Sequence, residues 1–113
     1  MMNNNEKEEE RELFWANIFR VDNEVIVAIC DKELLGKELN DPGLGIRIKI
    51  DPKFYGGELL EFDEVLNLLR EATMINAVGN NIVQKLIDAG FIDNKSHILL
   101  INGVKHVQIM ILT

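Results

Sequence analysis

Cysteine is almost missing from this chain. Cys30 stands alone among 113 residues, so no internal disulfide can form and no cysteine-rich zinc site can be built. No other metal-ligand spacing is present, and no cofactor is expected. Long hydrophobic runs are missing as well. No apolar stretch approaches the roughly 20 residues that a helix needs to cross a bilayer, so no membrane partner is expected. The polar, acidic start lacks the apolar segment of a secretory signal, and a cytoplasmic location is expected. Positive charge is also scarce, with 12 Lys and Arg against 19 Asp and Glu and a net charge of -7. An acidic chain is poor material for non-specific nucleic-acid binding, which needs cations over phosphates. A local basic patch remains open to it.

The sequence does hold enough apolar residues for a core. Hydrophobic residues make up 47% of a chain the size of one domain. Residues 1–12 run from asparagines into glutamates with almost nothing to bury, and are expected to form a disordered acidic tail. Residues 13–113 are expected to form a single α+β domain.

Within that domain, Leu13 to Arg20 and Glu24 to Cys30 predict a hairpin turning at Asp22-Asn23. Both faces of the second strand are apolar, so it is expected to lie centrally and be covered on two sides. If two short helices leave part of it bare, a homodimer is one way to cover it. Asp31 to Lys37 reads as a short helical turn stopped at Gly36, and Asn40 to Gly43 as a loop. Ile46, Ile48 and Ile50 alternate with Arg47 and Lys49, as in a half-buried strand. After a loop over Phe54 to Glu58, a helix is expected from Phe62 to about Asn76, with Val65, Leu68, Leu69 and Ala72 on its buried stripe. Val78-Gly79-Asn80 breaks it, and a second helix runs from Asn81 to Ala89, capped by Gly90. Asn102-Gly103 between apolar runs is a strong hairpin signal, joining His97–Ile101 to Val104–Leu112. The expected order is β-β-β-α-α-β-β. It describes an α+β fold with a mainly antiparallel sheet and both helices on one face.

The segments Val27 to Asp31, Leu34 to Lys37, Phe54 to Leu59, Leu68 to Thr73, Asn76 to Gly79 and Asn102 to Gln108 carry a family likeness. In this order and spacing the chain resembles, over about residues 13–112, the archaeal family known as domain of unknown function 424. The acidic extension departs from that pattern. So does Glu61-Phe62, where a small polar helix cap is more usual. The resemblance implies a small intracellular protein without established chemistry and with a predicted affinity for RNA.

The candidate site residues have competing roles. Arg47, Lys49 and Lys53 form a basic stripe suited to phosphates or to guarding an edge strand. Tyr55 is placed to stack on a base and the Gly56 and Gly57 amides to reach a phosphate; their ordinary role is a tight turn beside a core tyrosine. The Walker spacing is missing there. Thr73, Asn76, Asn80 and Asn81 suit either a ligand near the second helix start or helix capping. Lys105 and His106 follow the hairpin turn, and His106 has the chemistry of a general base but no partner at diagnostic spacing. Cys30-Asp31 ends a central strand, with Cys30 on an apolar face. No catalytic residue is assigned. The reading favoured is a binding module associated with RNA or a ribonucleoprotein, possible in a translation-related role. The alternatives are a small-molecule enzyme using His106, with Asp31 as helper, or a protein-interaction or dimerisation module. They differ in what they require: a contiguous basic patch, a concave pocket around His106, or an exposed apolar patch without a pocket.

Overall fold

Alternating apolar residues place Leu13–Val21 (β1) and Glu24–Asp31 (β2) in an antiparallel pair, turned at Asp22, whose φ is 56°. The computed structural model describes residues 11–93 and 97–111. Most of the expected tail lies outside the described residues. Its last two residues reach the body, Arg11 pairing with Glu61 at 2.9 Å and Glu12 with Lys85 at 3.6 Å.

After a 3₁₀ turn over Lys32–Leu34 come Glu38–Asp41 (β3), Ile46–Lys49 (β4), Pro52–Tyr55 (α1) and Glu58–Glu61 (β5). Phe62–Leu69 (α2), Met74–Val78 (β6), Asn80–Asp88 (α3), Ile98–Ile101 (β7) and Val104–Met110 (β8) complete the described elements. Six strands form one sheet in the order β5-β1-β2-β6-β8-β7, and β3 and β4 form a separate hairpin. The fold is α+β and the sheet is mainly antiparallel, with β2 and β6 its parallel pair.

Several expected elements are corrected by the structure. The helix expected over Phe62–Asn76 ends at Leu69, and Met74–Val78 is instead a central strand. Its alternation is the reason: Ile75 and Ala77 enter the helix-side core while Asn76 and Val78 face the other way. Asn40-Asp41, expected in a loop, belongs to β3. The expected Phe54–Glu58 loop is the end of a one-turn helix followed by a strand. Asp51 caps that helix by accepting the Lys53 amide at 2.9 Å, with Pro52 at its first position. The unusual Glu61 cap also has an explanation, since Glu61 and Glu64 cap one another's backbone in a reciprocal box.

The sheet has two unequal faces. On one, Val65 and Leu69 of α2 and Ile82, Val83 and Leu86 of α3 pack on Val27, Ile29, Ile75, Ala77 and Val107. Both helices lie there, as their stripes predicted. On the other, the β3–β4 hairpin, α1 and the residues beside them bring Leu39, Ile50 and Tyr55 onto Ala28, Cys30, Val78 and Ile101. This second cover is partial. The row Phe19, Ile26, Met74, Met110 runs in register across β1, β2, β6 and β8, and Ile26, Met74 and Met110 join neither core. Met110 is 63% exposed.

Candidate functional site

The strand period of two puts Asn76 and Gln108 opposite one another in the row next to the open one, and His106 one row further on. Asn76 is the centre of a polar network. Its Oδ1 accepts the Tyr55 hydroxyl at 2.6 Å and meets His106 Nε2 at 3.1 Å. An amide oxygen can only accept, so this contact requires the Nε2–H tautomer and leaves the lone pair on Nδ1. Burial pushes the His106 pKa below 6.5, which keeps the ring neutral at pH 7. Burial, with a smaller contribution from nearby Cys30, pushes Tyr55 up to about 12 and keeps it a neutral donor. Gln108 Nε2 lies 3.5 Å from Met74 Sδ. Beside them Phe19 and Phe54 stack at 5.4 Å, and Asn17 Nδ2 donates to the Phe54 carbonyl at 3.3 Å. The arrangement offers neutral hydrogen-bonding groups at the border of an apolar surface.

The same geometry corrects the glycine-loop expectation. Tyr55 is 7% exposed, with its hydroxyl turned inward, so its ring is not a stacking platform. The Gly56 amide donates to the Pro52 carbonyl at 2.8 Å and the Gly57 amide to the Tyr55 carbonyl at 3.1 Å, so neither is free for a phosphate. A Cβ at Gly57 would sit 2.3 Å from the Ala16 carbonyl oxygen. Glycine is required there because the chain passes against β1.

Asp31 emerges on the helix side of the sheet. Its carboxylate accepts the Ile82 amide at 2.8 Å and the Asn81 amide at 3.0 Å, and so fills the N-terminus of α3. Burial raises its pKa, opposed by these two hydrogen bonds. Gly79 has a φ of 131°, and a Cβ on it would lie 2.3 Å from the Asp31 carboxyl carbon. The helix start considered for a ligand is therefore occupied by the protein itself. Asp31 and His106 lie on opposite faces, which removes Asp31 as a helper to that ring. Cys30 is buried, and burial first, then Asp31 and Glu33, pushes its thiol up to about 12.

The remaining candidates are dispersed. Thr73 accepts the Val25 amide at 2.8 Å and donates to Glu24 at 2.7 Å, fastening β6 to β2. Asn80 donates to the Gly103 carbonyl and accepts the Lys105 amide, tying α3 to the β7–β8 turn. Lys105 occupies the face opposite to His106. Arg47, Lys49 and Lys53 are exposed, but Arg47 pairs with Glu38 at 3.4 Å and Glu38 stands opposite Lys49 in the hairpin. The stripe is thus shared with an acid. A surface cleft of about 330 Å3 is lined by Arg11, Glu12, Glu61, Phe62, Asp63 and Lys85, and His106 is not part of it. Among the described residues no group of three His, Cys, Asp or Glu side chains is placed to hold a metal. No described helix is long and apolar enough to cross a membrane.

The sequence reading missed the Tyr55–Asn76–His106 link and the Met74–Met110 row. The alternation of residues 74–78 was the available signal, hidden by a helical stripe that ran into it.

Comparison with known proteins agrees with the likeness noted in the sequence. An uncharacterized conserved protein from Methanopyrus kandleri has a similar structure, with a TM-score of 0.73 and 31% identity, over 88% of this chain and 92% of that one. No curated protein matches the chain. Residues 19–112 match the model of the family described as "Protein of unknown function (DUF424)", and the chain belongs to that family.

Proposed function

We propose that this chain is a cytoplasmic binding module of archaeal origin that holds a protein partner on the open half of its sheet. The Methanopyrus relative supports the origin. The observation that carries the function is the registered row Ile26, Met74, Met110, which joins neither core, with half-buried Ile26 and Met74 leading to exposed Met110 and Phe19, stacked on Phe54, closing its other end. Contiguous exposed apolar surface marks interaction sites, and methionine adapts to a partner's shape. Gln108, Asn76 and neutral His106 border the strip and supply orientation. A photo-crosslinking residue at position 110 should label a partner in cells that the same residue at Leu44 does not. Binding of that purified partner should weaken about tenfold or more, roughly 1.4 kcal/mol, in Met74→Lys or Met110→Lys. Equal labelling from both positions, or unchanged affinity in both variants, overturns the reading.

A second reading is association with RNA or a ribonucleoprotein. The exposure of Arg47, Lys49 and Lys53 supports it. Reversing all three to Glu should then abolish RNA retention without unfolding the chain. Wild-type affinity should fall with salt, by about 0.7 log units per contacted phosphate for each tenfold rise on a single strand. Retention that survives the reversal removes this reading.

A further inference from the structure

We propose that two copies of this chain pair through the outer edge of β7. The inference rests on that edge and not on the open face proposed above as a docking surface. Among the described residues the six-stranded sheet ends in β5 on one side and β7 on the other. Edge strands invite pairing unless something guards them. The β5 edge is guarded, since Glu58 and Glu61 lie at its two ends and Glu61 is held by Arg11. The β7 edge, Ile98-Leu99-Leu100-Ile101, has no charge and no proline. Leu99 is 41% and Leu100 54% exposed, adjacent on the same strand. The β3–β4 hairpin lies against β7 from the hairpin side of the sheet, where Leu39 and Ile101 share a core and Asp41 accepts the Asn102 amide at 2.8 Å, but it forms a separate sheet and does not extend the six-stranded one.

The backbone limits the register. A two-residue turn closes on a hydrogen-bonded pair, here Ile101 and Val104. Bonding then alternates along the hairpin. The Lys105 carbonyl accepting the Gly79 amide, away from β7, agrees with that phase. Leu99 and Ile101 therefore bond to β8, while Ile98 and Leu100 present their N–H and C=O groups outward. Outward groups must meet outward groups. Of the antiparallel two-fold pairings that satisfy this, the one centred on the strand overlaps it most: Ile98 faces Leu100 of the second copy, and Leu99 faces its own mate on the axis.

Charge selects the occupant. A chain with net charge -7 pairs with itself only along a seam that keeps its acids apart. Pairing at β5 would gather two glutamates from each copy. Pairing at β7 brings only Ile and Leu together, and the residue beside Leu100 on β8 is Lys105. The seam is self-complementary, which favours a second copy over an unrelated strand.

Light scattering and sedimentation across a concentration series should show twice the 12.9 kDa mass of the chain. Leu100→Lys and Leu99→Lys should each give a monomer with unchanged circular dichroism. Because Leu99 sits on the axis, Leu99→Cys should form an intermolecular disulfide under mild oxidation. It should do so about tenfold faster than Leu44→Cys, since facing residues in such a pair lie roughly 4.5 Å apart. The buried Cys30 supplies no competing thiol. A monomer at every concentration, a dimer that survives both lysine variants, or no excess crosslinking at position 99 overturns the proposal. A dimer dissolved by Met110→Lys but not by Leu100→Lys also overturns it, while leaving the open-face reading standing.

Discussion

The two faces of this sheet both carry apolar residues and end in different states. The helix side is closed. The sheet residues named in that core share one cluster with α2 and α3, and Val27, Ile29, Ile75 and Ala77 have no measurable exposure. The hairpin side is closed only where β3, β4 and α1 reach, and beyond them lie a polar row and an apolar one. Two amphipathic helices cover more strand length than a hairpin of two four-residue strands does, so the shorter cover leaves surface for a partner. Apolar content by itself does not separate a core from an interface. The extent of the layer above it does.

Substitutions can break this comparison, and the largest effects belong on the closed side. Leu86→Ala should cost about 2–5 kcal/mol through lost burial and a cavity. Gly79→Ala should cost about 3–5 kcal/mol, combining a backbone region that only glycine tolerates with a collision on Asp31. Urea denaturation of both variants checks this. Losses under 1 kcal/mol would mean that the helices are loosely held.

On the other side the effects should shrink. Tyr55→Phe removes one hydrogen bond to Asn76 and should cost about 1 kcal/mol. A neutral result would mean that the network does not hold α1 on the sheet.

His106 adds a pH dependence. Its folded pKa lies below the ordinary 6.5 because burial disfavours the cation, so the unfolded chain binds the extra proton first. The stability that results is fully present above pH 6.5 and is lost as pH falls through the folded value. An imidazole NMR titration should find the midpoint below 6.5, and His106→Gln should flatten the stability profile in that range. A midpoint at or above 6.5 contradicts the burial argument.

Met110→Lys should give the smallest effect, within about 0.5 kcal/mol, because its side chain packs on neither core. A large loss there would show that the open row is structural, and the contrast between the faces would narrow.

What the sequence made legible follows its local signals. Asn102-Gly103 reads as a hairpin because a two-residue turn requires positive φ at both positions, and the structure has 47° and 84° there. The stripe of Val65 and Leu69 reads as a helix facing a core for an equally local reason. The reading failed where two periods overlapped. Ala72 still fitted the helical stripe while Met74–Val78 was already alternating, and only pairing with β2 and β8 decides for a strand.

The amino-acid sequence by itself determined the family, the α+β class, the β1–β2 and β7–β8 hairpins and the common face of the two helices. These depend on residues within a few positions of one another. The tertiary structure alone decided the candidate site. Asn76 meets Tyr55 and His106 across 21 and 30 residues, and Asp31 meets the α3 amides across 50 and 51. No local period encodes such separations. They exist because the closed sheet brings distant strands into register, and the same register leaves Ile26, Met74 and Met110 outside both cores.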